Sequence, residues 1–155
     1  MDISLKRFNK RNLLLSILFS LGIIGCKVTL IGAYDQTIEQ NIQKLQKEVL
    51  TIIVKLERNL DSKSLNDNDY NHFKSSYENI AIDIENLKIR CGSIAKYNLV
   101  LEQVNLVDTN IKNLEKLHKL GFDKMEEIAP IKSAFETQFG AMINLQEALK
   151  REKNK

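Results

Sequence analysis

Residues 38–60 read IEQNIQKLQKEVLTIIVKLERNL, and the spacing of their apolar side chains decides the fold class. Ile38, Ile42, Leu45, Val49, Ile52, Leu56 and Leu60 recur at intervals of three and four. An α-helix turns once every 3.6 residues, so such a series lines one face of a helix; a strand would alternate every two. The Gln, Lys, Glu and Asn between them suit the opposite, wet face. The segment is predicted to be an amphipathic helix.

The same period continues outward to the C-terminus. The stretch DSKSLNDND at 61–69 reads as a turn, with helix caps available at Asn66, Asp67 or Asn68. A second stripe follows: Tyr70, Phe73, Tyr77, Ile80, Ile84, Leu87, Cys91 and Ile94. Cys91 falls in this register, which favours packing over redox chemistry. Gly92-Ser93 either ends one helix and caps the next or sits inside a single rod. Tyr97, Leu101, Val104, Val107, Ile111 and Leu114 extend the stripe to Leu117 or His118.

Leu120-Gly121-Phe122 reads as a helix stop, with Gly121 free to take positive φ and an apolar side chain on either side to close the end. Asp123 and Glu126 have capping-box spacing, and Pro130 is expected in the first turn of a new helix. Ile131, Phe135, Phe139, Met142, Leu145 and Leu149 form the last stripe, and KREKNK at 150–155 is expected to fray. The expected fold is all-α: an antiparallel helical bundle of four helices, or three if Gly92 lies inside one long central helix. The stripes also permit homotypic coiled-coil association, hence a homo-oligomer.

The charge is concentrated at the start of the chain. The whole sequence carries +3, yet Lys6, Arg7, Lys10 and Arg11 against Asp2 precede Cys26, which leaves the remainder neutral. A nucleic-acid footprint is therefore not expected. A basic head, an apolar run at 13–24 and a small residue before Cys26 are the three parts of an export signal. The run is too short to cross a hydrocarbon core of about 30 Å. Extending it to Tyr34 would reach the length of an uncleaved anchor, but would place Lys27 in the hydrocarbon at a cost of about 2.5–3.5 kcal/mol near its middle.

Ile23-Ile24-Gly25-Cys26 resembles the lipobox of bacterial lipoproteins. Ile23 takes the aliphatic position, Ile24 is bulkier than the usual occupant, Gly25 takes the small position, and Cys26 is the acceptor. The resemblance implies cleavage before Cys26, with diacylglycerol on its sulfur and an N-acyl lipid on its amine. Several acyl chains hold firmly where one gives only reversible attachment. The expected organisation is a signal peptide at 1–25, a lipidated tether at 26–34, a bundle at 35–152 and a frayed tail at 153–155.

No catalytic or metal-binding constellation is legible, and neither an enzyme nor a cofactor other than the covalent lipid is expected. His72 and His118 lack an HExxH context, and the 61–69 loop lacks the glycine and terminal glutamate of a calcium loop. His118, near a helix C-terminus, suits an exposed or capping role. Asp83, Glu85 and Glu102 read as a solvated face, and Ser75-Ser76 has no histidine at a useful spacing.

Beyond the lipobox, the lysine- and asparagine-rich helical body is similar to the small surface lipoproteins of spirochaetes. That class includes adhesins and proteins that capture matrix or complement components. The resemblance implies an outer-membrane or cell-surface binding module whose partner is a host macromolecule: extracellular matrix, glycosaminoglycan or complement. Lys112, Lys116 and Lys119 have the spacing of a basic stripe that suits an anionic polysaccharide. Two alternatives are a periplasm-facing accessory lipoprotein that scaffolds an envelope or secretion complex, and a membrane-anchored inhibitor or immunity protein.

Overall fold

Four helices, α1 (Gln36–Asp61), α2 (Tyr70–Gly92), α3 (Asn98–Leu120) and α4 (Met125–Lys153), dominate residues 32–154, which the computed structural model describes. They form an antiparallel bundle without strands among those residues, as the stripes predict. α1 packs against α2 and α4, α3 packs against α2, and the α3–α4 seam is the loosest. The signal-like segment and its lipobox, Ile23 to Cys26, lie outside the described residues. No described helix is long and apolar enough to cross a membrane.

α1 starts where Asp35 accepts a hydrogen bond from the Ile38 amide at 3.0 Å, satisfying one orphan donor of the first turn. Its buried face is Ile38, Ile42, Leu45, Val49, Ile52 and Leu56, with Ile53 added and Leu60 only partly covered. The helix ends on Lys63, which takes positive φ (56°) and lets the Ser64 amide reach back to the Asn59 carbonyl at 2.8 Å. A short 3-10 turn, Leu65–Asn68, follows. The cap of α2 is Asp69, which accepts from the Asn71 amide at 2.8 Å, rather than Asn66, Asp67 or Asn68. Asn68 is instead buried and donates its amide to the Leu56 carbonyl, at 3.2 Å.

The Gly92-Ser93 alternative resolves as a break. Ser93 closes α2 with its amide 3.1 Å from both the Ile89 and Arg90 carbonyls, and four helices result. Gly32 lies against this connection, its amide donating to the Lys96 carbonyl at 2.9 Å. A Cβ there would stand 2.4 Å from the Tyr97 ring, so no larger residue fits without displacement. Val100, rather than Leu101, faces the core of α3; Leu101 is half-buried.

Gly121 does end α3 in positive φ (94°), but only Phe122 closes that end. Leu120 points to solvent, 84 % exposed. α4 is capped by Glu127, which accepts from the Asp123 and Lys124 amides at 2.9 and 3.3 Å; Glu126 plays no such part. Pro130 is inside α4 rather than in its first turn. It removes only the bond to the Glu126 carbonyl, and both residues are exposed. Ile128 and Gln146 are buried where the stripe predicted Ile131 and Leu145, and the helix runs through Lys153 instead of fraying from Lys150.

Candidate functional site

The loop end of the bundle, where the 3-10 turn meets the α3–α4 connection, gathers the only aromatic ring cluster that spans several elements among the described residues. At its centre is His118, 2 % exposed, which corrects the exposed or capping role its sequence position suggests. It falls in register with Val100, Val104, Val107, Ile111 and Leu114, so α3 points it inward. Nε2 lies 2.8 Å from the Asn68 carbonyl, and Nδ1 lies 3.0 Å from the Tyr77 hydroxyl. A carbonyl only accepts, so Nε2 carries the proton; Nδ1 then accepts from Tyr77 in the neutral ring.

The surroundings reinforce neutrality. The ring makes edge contacts with Phe73 at 4.8 Å, Tyr77 at 5.7 Å and Tyr70 at 5.9 Å, and lies 5.9 Å from Phe122. Burial pushes the imidazole below its ordinary pKa, with the Asn68 carbonyl opposing only in part. Burial likewise raises the Tyr77 hydroxyl far above the usual phenol range. Both groups are therefore locked in their neutral forms near pH 7. The pair joins elements together and supplies neither an available base nor an acid.

Beside this cluster opens a concavity of about 650 Å³, whose rim is formed by Asn66, Asp69, Asn71, Lys119 and Asp123. Lys119 is tied to Glu115 at 2.7 Å and covers the Tyr70 ring at 4.6 Å, while the Tyr70 hydroxyl donates to Glu115 at 2.7 Å. The concavity thus offers amides, carboxylates and one partly neutralised cation, a lining suited to hydrogen-bonded recognition.

The three lysines of the α3 stripe share a helix face but differ in state. Lys112 pairs with Asp108 at 2.8 Å and Lys119 with Glu115, each one helical turn away. Asp108 also takes Lys88 of α2 at 2.6 Å. Lys116 has no ion partner among the described residues. His72 is exposed, its Nδ1 3.4 Å from the Asp67 carbonyl. Cys91 is buried in the α2 stripe, and burial pushes its thiol up to about 11, which leaves it protonated and unreactive at neutral pH. Among the described residues no group of three or more His, Cys, Asp or Glu is placed to hold a metal ion.

The His118 cluster was beyond sequence reasoning for a definite reason. Its aromatics lie at 70–77 and 122, some forty residues apart, and only the antiparallel turn of α2 and α3 brings them together. The one local signal was register: His118 continues the buried stripe that Leu117, 44 % exposed, leaves.

Fold and site together define a four-helix bundle with a polar concavity at one end. Comparison with protein families, with curated proteins and with solved structures finds no match to this chain.

Proposed function

We propose that this chain is a lipid-anchored surface lipoprotein whose bundle acts as a non-catalytic binding module for a host macromolecule: a matrix, glycosaminoglycan or complement component. The observation that carries the reading is the placement of the polar concavity at the far end of the bundle from Gly32. The helices between the two ends, such as α3 with 23 residues, measure about 35 Å. Cleavage before Cys26 leaves six residues to Gly32, a reach of about 20 Å when extended. On this reading acylated Cys26 holds the Gly32 end close to the outer membrane and presents the His118 end outward.

The non-catalytic part of the proposal draws support from the neutral, fully engaged His118–Tyr77 pair. Lipidation is tested by Cys26→Ser, which is expected to leave unprocessed precursor and abolish palmitate incorporation. Recognition is tested by binding intact cells to immobilised matrix proteins, complement proteins and heparin. Asn71→Arg and Asp123→Arg alter exposed rim positions, and are expected to lower binding without loss of helicity. Protection from external protease on intact cells, matched by a protected periplasmic control, overturns the outward orientation; binding to none of the panel overturns the partner class.

A further inference from the structure

A second concavity, between α1 and α2, has a different chemistry from the one around His118. It encloses about 320 Å³, and its lining includes Lys47, Thr51, Lys55 and Ser76 above a floor of Ile52 and Phe73. That volume is at the lower end of what small-molecule sites enclose, roughly 300–1,000 Å³. The floor residues are core side chains, 2 % and 4 % exposed, so the bottom of the groove is the edge of the hydrophobic core itself.

The two cations flank one point. Lys47 and Lys55 lie four residues before and after Thr51, about 6 Å along the axis in each direction. A lysine's four-carbon stem covers a comparable distance, so both ammonium groups can reach the level of Thr51. There the Thr51 hydroxyl is engaged with the Lys47 carbonyl at 2.7 Å, while the Ser76 hydroxyl has no hydrogen-bond partner among the described residues. Neither Lys47 nor Lys55 has an ion partner among those residues.

Lys44, at the groove's other margin, spends its charge on Asp83 at 2.8 Å and Glu48 at 3.7 Å. Glu48, the one carboxylate of the lining, approaches Lys44 through Oε1 at 3.7 Å while its Oε2 is buried without a hydrogen-bond partner, and burial together with the neighbouring Asp83 raises its pKa. On α3, by contrast, Lys112 and Lys119 are neutralised by their own helix.

Two lysines without ion partners bordering one groove with an apolar margin favour a ligand that supplies both an opposite charge and an apolar body. We propose that the α1–α2 groove binds an amphipathic organic anion, with its anionic head between Lys47, Lys55 and the Ser76 hydroxyl and its apolar body on Ile52 and Phe73. The proposal does not depend on the identity of any host partner.

The test is equilibrium dialysis of radiolabelled octanoate against the full-length chain in zwitterionic lipid nanodiscs, with uptake by empty discs subtracted. Saturable uptake of one octanoate per chain is expected, with octanol and octylammonium taken up far more weakly. Lys47→Gln and Lys55→Gln are each expected to weaken uptake about tenfold, the scale of a lost hydrogen bond to a charged group. Lys47→Arg and Lys55→Arg keep the charge and most of the uptake, and Lys112→Gln leaves it unchanged.

Circular dichroism checks that each variant remains helical. Discs containing anionic lipid separate the sources: octanoate uptake that persists identifies a free anion as ligand, and uptake that disappears identifies a membrane headgroup of the same chemistry. No saturable uptake at millimolar octanoate, equal uptake of octanol, or unchanged uptake in the double glutamine variant overturns the proposal.

Discussion

At the loop end of the bundle the most deeply buried polar side chain is His118; at the Gly32 end it is Gln146, 1 % exposed. His118 has both ring nitrogens within good hydrogen-bond distance, 2.8 and 3.0 Å, and a surround of aromatic edges. Gln146 meets the Tyr97 hydroxyl at 3.5 Å, the limit of a hydrogen bond, and its amide nitrogen has no partner. Turning the amide over only exchanges which of its atoms is left. A buried polar group that is fully paired adds stability and fixes geometry; one that is half-paired carries a desolvation cost. The two side chains thus differ in fastening, while each end as a whole is mixed: the Asn68 side-chain oxygen at the His118 end is buried without a partner, and Glu39 at the Gly32 end is paired with Tyr34 and Lys150.

The contrast is broken most directly at His118. His118→Ala removes a packed ring and strands both the Tyr77 hydroxyl and the Asn68 carbonyl, so a loss of about 3–5 kcal/mol is expected in urea unfolding. A loss below about 1 kcal/mol would mean that the ring does not join these elements. Tyr77→Phe keeps the ring packing and strands only Nδ1, and is expected to cost about 1–2 kcal/mol.

A third expectation concerns pH. The folded pKa of His118 lies below the ordinary value near 6.5, so its contribution is complete above that pH and is lost as pH falls toward the depressed folded value. Asp35, held low by Arg90, and Glu115, held low by Lys119 and Tyr70, lose theirs only in the more acid range below the carboxylate values. Glu48 is raised by burial and by Asp83, and works in the opposite direction. The difference between wild type and His118→Met thus isolates the imidazole: the wild-type melting temperature is expected to fall more between pH 7 and 5. Parallel curves would remove His118 as the titrating group.

How much of this was legible in the sequence follows from which physical effects are local. Periodicity is local, and it located the helical stripes, because Ile38, Ile42 and Leu45 must share a face whatever they touch, but it left open whether Gly92 divides α2 from α3. Ends were less legible. Asp69, Glu127 and Lys63 do what Asn66, Glu126 and a glycine would do equally well, and the choice is made by how the chain must turn to bring α2 and α4 onto α1. Register errors of one residue, Leu145 for Gln146 and Leu101 for Val100, arise because a helix face is wider than a single stripe. The His118 cluster and the α1–α2 groove are assembled from different helices, and no spacing along one helix announces them.

The sharpest comparison of the two ends uses matched pairs. Removing both partners of a polar contact, with shape kept, avoids stranding either one, and the result reports the net value of the pair. Tyr97→Phe with Gln146→Met deletes a long contact and an unpaired amide nitrogen, replacing them with apolar atoms of similar volume in a site that is almost fully buried. A change between zero and about 1 kcal/mol of stabilisation is expected. The equivalent pair at the other end, Tyr77→Phe with His118→Met, still strands the Asn68 carbonyl, to which Nε2 donated at 2.8 Å, and is expected to destabilise. Opposite signs in the two double variants, measured in the same urea titration, follow if the difference lies in hydrogen-bond satisfaction. Equal losses would place it in packing alone, since both pairs exchange a phenol and a polar side chain for apolar ones.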